Sequence, residues 1–310
     1  CSSDLVMMIG TVTKGLYGKE VCDLRAMKRA GVRLISEDGK SVMDSGVYAK
    51  AMEICAQEDI LVLAHCEDIN LVRGGVMHEG VRSKELGLPG ITSEVEDIIT
   101  ARDIFLARQT GVRLHLCHCS TKTSVEMVRL AKEAGLLVSA EVCPHHFTLC
   151  DEDITGDDGN YKMNPPLRSS ADRDAVIEGL RDGTLDVIAT DHAPHSADEK
   201  SRPFINAPFG VIGLETSFAV SNTILIREHA FTPLRLIELM STAPARILRC
   251  EGGTLEPGSR ADIAILDPDS AYTVPKDGFR SRGVNTPFAG MEVWGAAVMT
   301  IASGEIIYEK

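Results

Sequence analysis

The sequence predicts an α/β protein built on a (β/α)₈ TIM barrel, with a small β subdomain towards its C-terminal end. Short apolar runs alternate with segments of helical periodicity, a glycine precedes most of the apolar runs, and polar side chains follow them. Such alternation is typical of βαβ units with a parallel sheet, and glycine commonly ends a helix. Because the functional side chains of a barrel gather where its strands end, the polar residues favour a barrel over a doubly wound sheet.

Six apolar runs are candidates for the strands of the parallel sheet. They cover residues 5–9, 32–36, 60–64, 112–117, 136–142 and 185–189. The segments between them carry apolar residues at helical spacing, as with Val125, Val128 and Ala131 before Gly135. No Gly-x-Gly-x-x-Gly follows any of the six runs, so a dinucleotide-binding fold lacks support.

The pattern changes after Asp191. Residues 192–210 lack apolar periodicity and are predicted to form a long functional loop, whereas residues 232–248 suit a helix with proline in its first turn. From Gly253 onward, short β-like runs dominate. We therefore predict an incomplete catalytic barrel over residues 1–250 and the C-terminal part of a small β subdomain over residues 251–310.

Composition restricts the classes of partner. The 310 residues include 32 basic and 45 acidic side chains, giving a formal net charge of -13 that argues against nucleic acid. A small anionic substrate remains compatible, because a site can be locally positive in an acidic protein. The sequence contains no apolar run long enough for a membrane span, and its nine cysteines include no Cys-x-x-Cys pair. These features predict reduced thiols in a cytoplasmic protein.

Four of the predicted strand ends carry side chains that bind metal ions. They are Asp38, His65, His118 and Asp191, in that order along the chain. In a barrel these ends converge on one rim, and imidazole nitrogen with carboxylate oxygen is a ligand set for zinc or a similar ion. Such an ion lowers the pKa of water and polarises a carbonyl group. A single histidine at a strand end is more often structural, so the ordered set of four carries the prediction.

The other histidines and cysteines near these strands have simpler interpretations. His115 alternates away from His118 along its strand and is expected to be structural. His145 and His146 follow another strand, where they are candidates for supporting contacts around the site. Three cysteines are more readily interpreted as small buried side chains than as ligands: Cys66, Cys117 and Cys119.

Several segments resemble the bacterial type of dihydroorotase in the amidohydrolase superfamily. The segments are AHCED at 64–68, HCSTK at 118–122, EVCPHH at 141–146, YKMNPPLR at 161–168, IATDHAPH at 188–195 and APFG at 207–210. The related hydantoinases and allantoinases usually place a carboxylated lysine where this sequence has Asp38. The MNPP segment at 163–166 also points to dihydroorotase rather than to these relatives.

The resemblance implies a role for each matching residue. Asp38 would bridge two zinc ions, His65 and His118 would hold one of them, and Asp191 would bind the other and shuttle the proton. The implied substrate contacts are Asn164, His195 and the backbone of Phe209 and Gly210.

The implied reaction is the reversible cyclisation of N-carbamoyl-L-aspartate to (S)-dihydroorotate in de novo pyrimidine biosynthesis. In the hydrolytic direction, metal-bound hydroxide would attack the ring amide, with Asp191 as general acid and base. The resemblance also implies a homo-oligomer, with aspartate transcarbamoylase as a further candidate partner. Two alternatives stay open: a hydantoinase or allantoinase type of cyclic amidase, and a non-catalytic scaffold subunit.

The sequence departs from the family pattern at its N-terminal side. Dihydroorotases carry a His-x-His pair on the first barrel strand followed by Arg-Glu-Pro-Gly, and a Met-Pro-Asn-Thr segment after the second; none of these occurs here. Barrel strands 1 and 2 therefore lack counterparts. The explanations are a fragment of a longer protein, a natural short form that acts with a partner, and a non-catalytic relative. Because an open barrel exposes two unpaired edges, we expect the chain to be inactive without the missing segment.

Overall fold

The computed structural model describes residues 6–310, which form two compact units. The first unit contains the described residues up to Val142 together with Arg168–Leu185, and the second contains Cys143–Leu167 and Asp186–Lys310. Residue 5, the start of the first predicted strand, lies outside the described residues. Within 6–310, no helix has both the length and the apolar character needed to cross a membrane.

The strands of both units are short, apart from two near the C-terminal end. They are β1 (Ile9–Thr11), β2 (Leu34–Ser36), β3 (Leu61–Ala64), β4 (Met77–His78), β5 (Gly90–Ile91), β6 (Leu114–Leu116), β7 (Val138–Val142), β8 (Val187–Ile188), β9 (Ile263–Thr273), β10 (Glu292–Ala302) and β11 (Glu305–Glu309). In the first unit, β1, β2, β3, β6 and β7 lie side by side in that order, and each neighbouring pair is parallel. The carboxyl ends of these five strands therefore lie at one edge of the sheet.

Helices connect the parallel strands, as the alternating pattern predicts. The helices are α1 (Leu24–Arg29), α2 (Ser45–Glu58), α3 (Ile69–Val72), α4 (Val81–Leu86), α5 (Glu94–Thr110), α6 (Lys122–Glu133), α7 (Pro144–Thr148), α8 (Ser170–Asp182), α9 (Ala197–Lys200), α10 (Ser217–Ser221), α11 (Pro233–Ile237) and α12 (Ala243–Leu248). On α6 the predicted face is buried, with Val125, Val128 and Ala131 in the core. Gly111 and Gly183 end α5 and α8 in the left-handed conformation, which glycine adopts without a steric penalty.

Five of the six predicted strands are confirmed as β2, β3, β6, β7 and β8, and the position predicted for the first is wrong. We expected a strand over residues 5–9, but the strand that pairs with β2 is Ile9–Thr11. The apolar residues Val6 and Met8 are instead 71% and 77% exposed. Gly10 in this strand packs closely, since a Cβ added there would lie only 3.0 Å from Met27 Sδ. Apolar character alone therefore misplaced this strand.

The second unit carries the β structure that the C-terminal runs predict. Strands β9, β10 and β11 form an antiparallel sheet with β10 in the centre, all of it within residues 251–310. The domain boundary at residue 250 stays a prediction. The predicted helix at 232–248 is confirmed: the Thr232 hydroxyl caps α11, and a π-helical turn, Glu238–Thr242, joins α11 to α12.

A buried ion pair lies at the centre of the first unit. Glu96 on α5 and Arg168 are both almost fully buried, with Oε2 and Nη2 3.5 Å apart. The Glu96 carboxylate also accepts hydrogen bonds from the backbone N–H of Ser120 at 2.8 Å and from the hydroxyl of Ser124 at 2.7 Å. Arg168 donates to the Ser120 hydroxyl at 3.1 Å and to the carbonyl oxygen of Ile91 at 3.2 Å. The pair therefore fixes the loop between β6 and α6.

Replacing Glu96 with alanine should lower the free energy of unfolding by about 3–5 kcal/mol, because Arg168 would keep its charge in the core without its carboxylate partner. Urea unfolding followed by circular dichroism measures the change. Glu94→Ala is the matched control: this residue is exposed at the start of the same helix, and its loss should cost less than about 1 kcal/mol. Equal losses in the two variants would contradict the role given to the ion pair.

Candidate functional site

The structure brings together two of the predicted metal ligands, His65 and His118. His65 follows β3 directly and His118 lies two residues beyond β6, and these strands are parallel neighbours with Ala64 opposite Leu116. The His65 Nδ1 and His118 Nε2 atoms are 2.9 Å apart, and each residue is 8% exposed. Two imidazole nitrogens therefore converge at one point of the sheet edge.

Glu67 orients the His65 ring. Its Oε2 lies 3.3 Å from His65 Nε2, the ring nitrogen that faces away from His118. Ser41 fixes the same segment, since its hydroxyl donates to the His65 carbonyl at 2.7 Å and accepts from the Glu67 N–H at 3.0 Å. A carboxylate on the second nitrogen is the usual partner of a metal-binding histidine. Sequence reasoning missed this role of Glu67, although the His-x-Glu spacing was a signal for it.

The two acids after β2 lie in different environments. Asp38 is exposed in the turn, and the structure does not bring its carboxylate into one cluster with the histidine pair. Glu37 is buried instead, where it accepts from the N–H of Thr13 at 3.0 Å and that of Gly18 at 3.3 Å and also contacts the Thr13 hydroxyl. The Glu37 carboxylate therefore holds the segment that follows β1.

Asp191 and His118 share an unusual backbone conformation. Their φ angles are +46° and +36°, in the left-handed region that costs a residue with a side chain about 1–3 kcal/mol. Asp59, Arg73 and Arg249 also have positive φ, but each of them ends a helix, where this conformation is common. His118 and Asp191 instead follow strands, as does Ser303, whose φ of +51° lies in the turn between β10 and β11. Strain of this kind concentrates at functional sites, which supports the choice of these two residues.

Most of the predicted substrate residues lie together in the second unit. The His195 side chain contacts the Phe209 carbonyl through Nε2 at 2.7 Å. Asn285 links the same region, because its Oδ1 accepts from the His195 N–H and its Nδ2 donates to the Gly210 carbonyl, both at 3.0 Å. Asn164 is half-buried in the segment whose Lys162 carbonyl accepts from the Gly210 N–H at 3.0 Å. Sequence reasoning missed Asn285, which is 90 residues away from His195 along the chain.

Two lysines hold the segment from His195 to Gly210 in place. Lys162 Nζ donates to the carbonyl oxygens of Phe204 and Ile205 at 2.9 and 3.1 Å. Lys200 Nζ donates to three more carbonyls, those of Lys162, Pro208 and Gly210, at 2.8–3.1 Å. Burial, with the nearby Lys162 charge, lowers the pKa of Lys200 to about 8. In a segment with little regular structure, these ammonium groups satisfy backbone carbonyls that a strand or helix would otherwise pair.

A cavity of about 530 Å³ opens beside this segment. Its lining includes His195, Lys200 and Asn285, together with Asp158 and Tyr161. The residues that fix the segment therefore also line a space large enough for a small molecule.

Comparisons with known proteins show the family to which the chain belongs. The amidohydrolase family model matches residues 19–307. The chain is 47% identical over 305 residues to a dihydroorotase of Caldanaerobacter subterraneus subsp. tengcongensis, an alignment that covers 98% of this chain and 70% of that protein. It is 46% identical over 305 residues to the dihydroorotase of Bacillus caldolyticus, with 98% and 71% covered.

Solved structures show the same architecture. The chain matches L-hydantoinase from Arthrobacter aurescens with a TM-score of 0.84 at 26% identity, over 98% of this chain and 70% of that one. It matches a D-hydantoinase with a TM-score of 0.81 at 20% identity, over 96% and 68%, a likeness that concerns the fold alone.

The amidohydrolase family model and the TIM-barrel-type α/β fold define a hydrolase, of a class whose members are generally metal-dependent. The chain belongs to the amidohydrolase family and, within it, to the dihydroorotases.

The buried ammonium group of Lys200 predicts a pH effect on stability. Its pKa of about 8 lies below the ordinary value of 10.5, so between these values the unfolded chain binds the additional proton. The contribution of Lys200 to the free energy of unfolding of the wild-type protein should therefore increase as the pH rises from about 8 to 10.5. Lys200→Met should lack the gain, as measured by urea unfolding at pH 7, 8, 9 and 10.

The control for this experiment is Lys50→Met, which removes an exposed lysine from α2. The difference in stability between this variant and the wild-type protein should not change with pH. If the free energy of unfolding changed with pH in the same way for the wild-type protein and Lys200→Met, the lowered pKa of Lys200 would be contradicted.

Proposed function

We propose that this protein catalyses the dihydroorotase reaction, the reversible cyclisation of N-carbamoyl-L-aspartate to (S)-dihydroorotate. The observation that carries the proposal is the convergence of His65 Nδ1 and His118 Nε2 at 2.9 Å, in a chain 46–48% identical to several dihydroorotases along nearly its whole length. The substrate is a small molecule, which suits the cavity beside His195.

The proposed metal ligands are Asp38, His65, His118 and Asp191, and the proposed cofactor is a pair of Zn²⁺ ions. The donor set fits such ions, since it combines imidazole nitrogen with carboxylate oxygen and the carboxylate of Glu67 orients one imidazole. A divalent ion held there would polarise the amide carbonyl and make water reactive near neutral pH. The exposed turn of Asp38 follows β2, the parallel neighbour of the strand that carries His65.

The residues of the chain have separate tasks in the proposed reaction. Asp191 accepts a proton from the attacking water during hydrolysis and delivers it to the ring nitrogen that leaves. In the direction of cyclisation, it removes a proton from the attacking nitrogen and delivers it to the hydroxyl group that departs as water. Asn164 and His195 hold the substrate. The backbone of Phe209 and Gly210 contacts the pyrimidine ring. Lys200 and Asn285 hold the Gly210 carbonyl and Lys162 accepts from its N–H, so these contacts fix the position of that backbone.

We further propose a cytoplasmic homo-oligomer, with aspartate transcarbamoylase as a candidate partner. An apolar groove between α5 and α6 supports self-association, because Phe105 and Leu130 are more than half exposed there. Sedimentation equilibrium that finds only monomer at micromolar concentration would contradict the oligomer.

In a preparation that turns over dihydroorotate, replacing Asp191 with asparagine should reduce kcat by at least about 10²-fold, because an amide cannot accept the proton. Zinc content, measured by mass spectrometry of the metal, should remain nearly that of the wild-type protein. Asp198→Asn, a substitution at an exposed position of the same loop, serves as the control and should retain full activity. Normal turnover by Asp191→Asn would refute the assignment of the proton shuttle.

The substrate class is tested by measuring kcat/KM for dihydroorotate, dihydrouracil and allantoin with the same preparation. We expect dihydroorotate to be preferred by at least about tenfold, because the relatives of highest identity are dihydroorotases. A preference for dihydrouracil or allantoin would favour the hydantoinase or allantoinase type of enzyme. No hydrolysis of any of the three by a preparation that lacks bound zinc would favour a scaffold subunit.

A further inference from the structure

A second group of metal-binding side chains lies in the second unit. Cys143, His145 and His146 are 0%, 2% and 4% exposed, and one ligand atom from each lies within 4.8 Å of the others. None of them belongs to the ligand set proposed for catalysis. Among residues 6–310, this is the only group of three or more such side chains with ligand atoms so close together.

Local backbone structure brings the three side chains together. Cys143 precedes the first turn of α7, and the His146 N–H donates to the Cys143 carbonyl at 2.9 Å, so the two residues lie one turn apart. The rings of His145 and His146 meet edge to face, with centroids 4.3 Å apart. Tetrahedral zinc requires ligand atoms about 3.4–3.8 Å apart, given its bond lengths of about 2.0–2.3 Å. Rotation about the side-chain torsions is the movement that would bring these atoms, which lie within 4.8 Å of one another, to that spacing.

The orientation of His146 favours metal binding. Its Nε2 lies 2.9 Å from the carbonyl oxygen of Pro165, an acceptor, so Nε2 carries the proton and donates it. The lone pair of the neutral ring is then on Nδ1. Metal-binding histidines commonly show this arrangement, with one nitrogen donating to a carbonyl and the other facing the ion.

We propose that Cys143, His145 and His146 form a second metal site, selective for a divalent ion that accepts sulfur, such as Zn²⁺. The thiol of Cys143 loses its proton to solvent when the ion binds, and two neutral imidazoles complete three of the four positions, with water or another donor in the fourth. Thiolate with imidazole selects zinc and its chemical relatives over Mg²⁺ or Ca²⁺, which prefer oxygen ligands. Because all three ligands are buried, the ion would enter as the chain folds.

The test exploits sulfur, which is absent from the proposed catalytic ligands. The full chain is refolded in Co²⁺, and its near-ultraviolet spectrum is examined for the charge-transfer band between thiolate and cobalt. We expect about one thiolate–cobalt centre per wild-type chain and its loss in Cys143→Ser. The control is Cys55→Ser: this cysteine is buried on α2, and burial raises the pKa of its thiol to about 12, so the variant should retain the band.

X-ray absorption of the zinc-loaded wild-type protein provides a measurement that needs no variant to fold. A sulfur ligand at about 2.3 Å is expected in addition to nitrogen and oxygen. Absence of sulfur from the zinc shell, or an equal band in the wild-type protein and Cys143→Ser, would overturn the second site. Neither result depends on catalysis. If Cys143→Ser lost the thiolate–cobalt band but kept dihydroorotase activity, the second site would be supported and the proposed function would be unaffected.

Discussion

The buried ion pair between Glu96 and Arg168 is the interaction on which the histidine pair depends. A carboxylate and a guanidinium group in the core are tolerated only when their hydrogen-bonding capacity is used, and here it is used on the backbone and hydroxyl groups of the loop after β6. That loop begins immediately after His118, whose backbone is held in a strained conformation. The buried ion pair therefore helps to fix the position of His118 at the edge of the sheet, where it contacts His65.

The histidine pair could be predicted from the sequence because both histidines follow the same local pattern, an apolar strand followed closely by a histidine. An apolar run that ends in histidine indicates both a parallel strand and the edge at which the side chain emerges, and the order of four such strand ends singled out His65 and His118. The first strand could not be placed in this way, because the apolar residues Val6 and Met8 are exposed and the strand that pairs with β2 begins at Ile9. Nor does local sequence distinguish Glu37 from Asp38: neighbouring acids look equivalent until one of them is buried against Thr13.

Long-range polar contacts were beyond prediction for a different reason. A lysine in a polar loop normally extends into water, and nothing near Lys162 or Lys200 in the sequence indicates that its ammonium group binds backbone carbonyls. The same holds for Asn285, whose partners His195 and Gly210 lie far away along the chain. These groups replace the regular ladder of a sheet in a segment that must remain irregular to present His195 beside a cavity.

The left-handed backbone at His118 and Asp191 also has a consequence for protein engineering. A procedure that optimises thermostability would rank glycine highly at both positions, because glycine relieves the unfavourable dihedral angles. The resulting variants would be relieved of the unfavourable dihedral angles but would lack an imidazole and a carboxylate. Stability screens on this scaffold therefore need a functional readout at every round, since relieving the backbone strain at either position removes a side chain that we propose for the metal site.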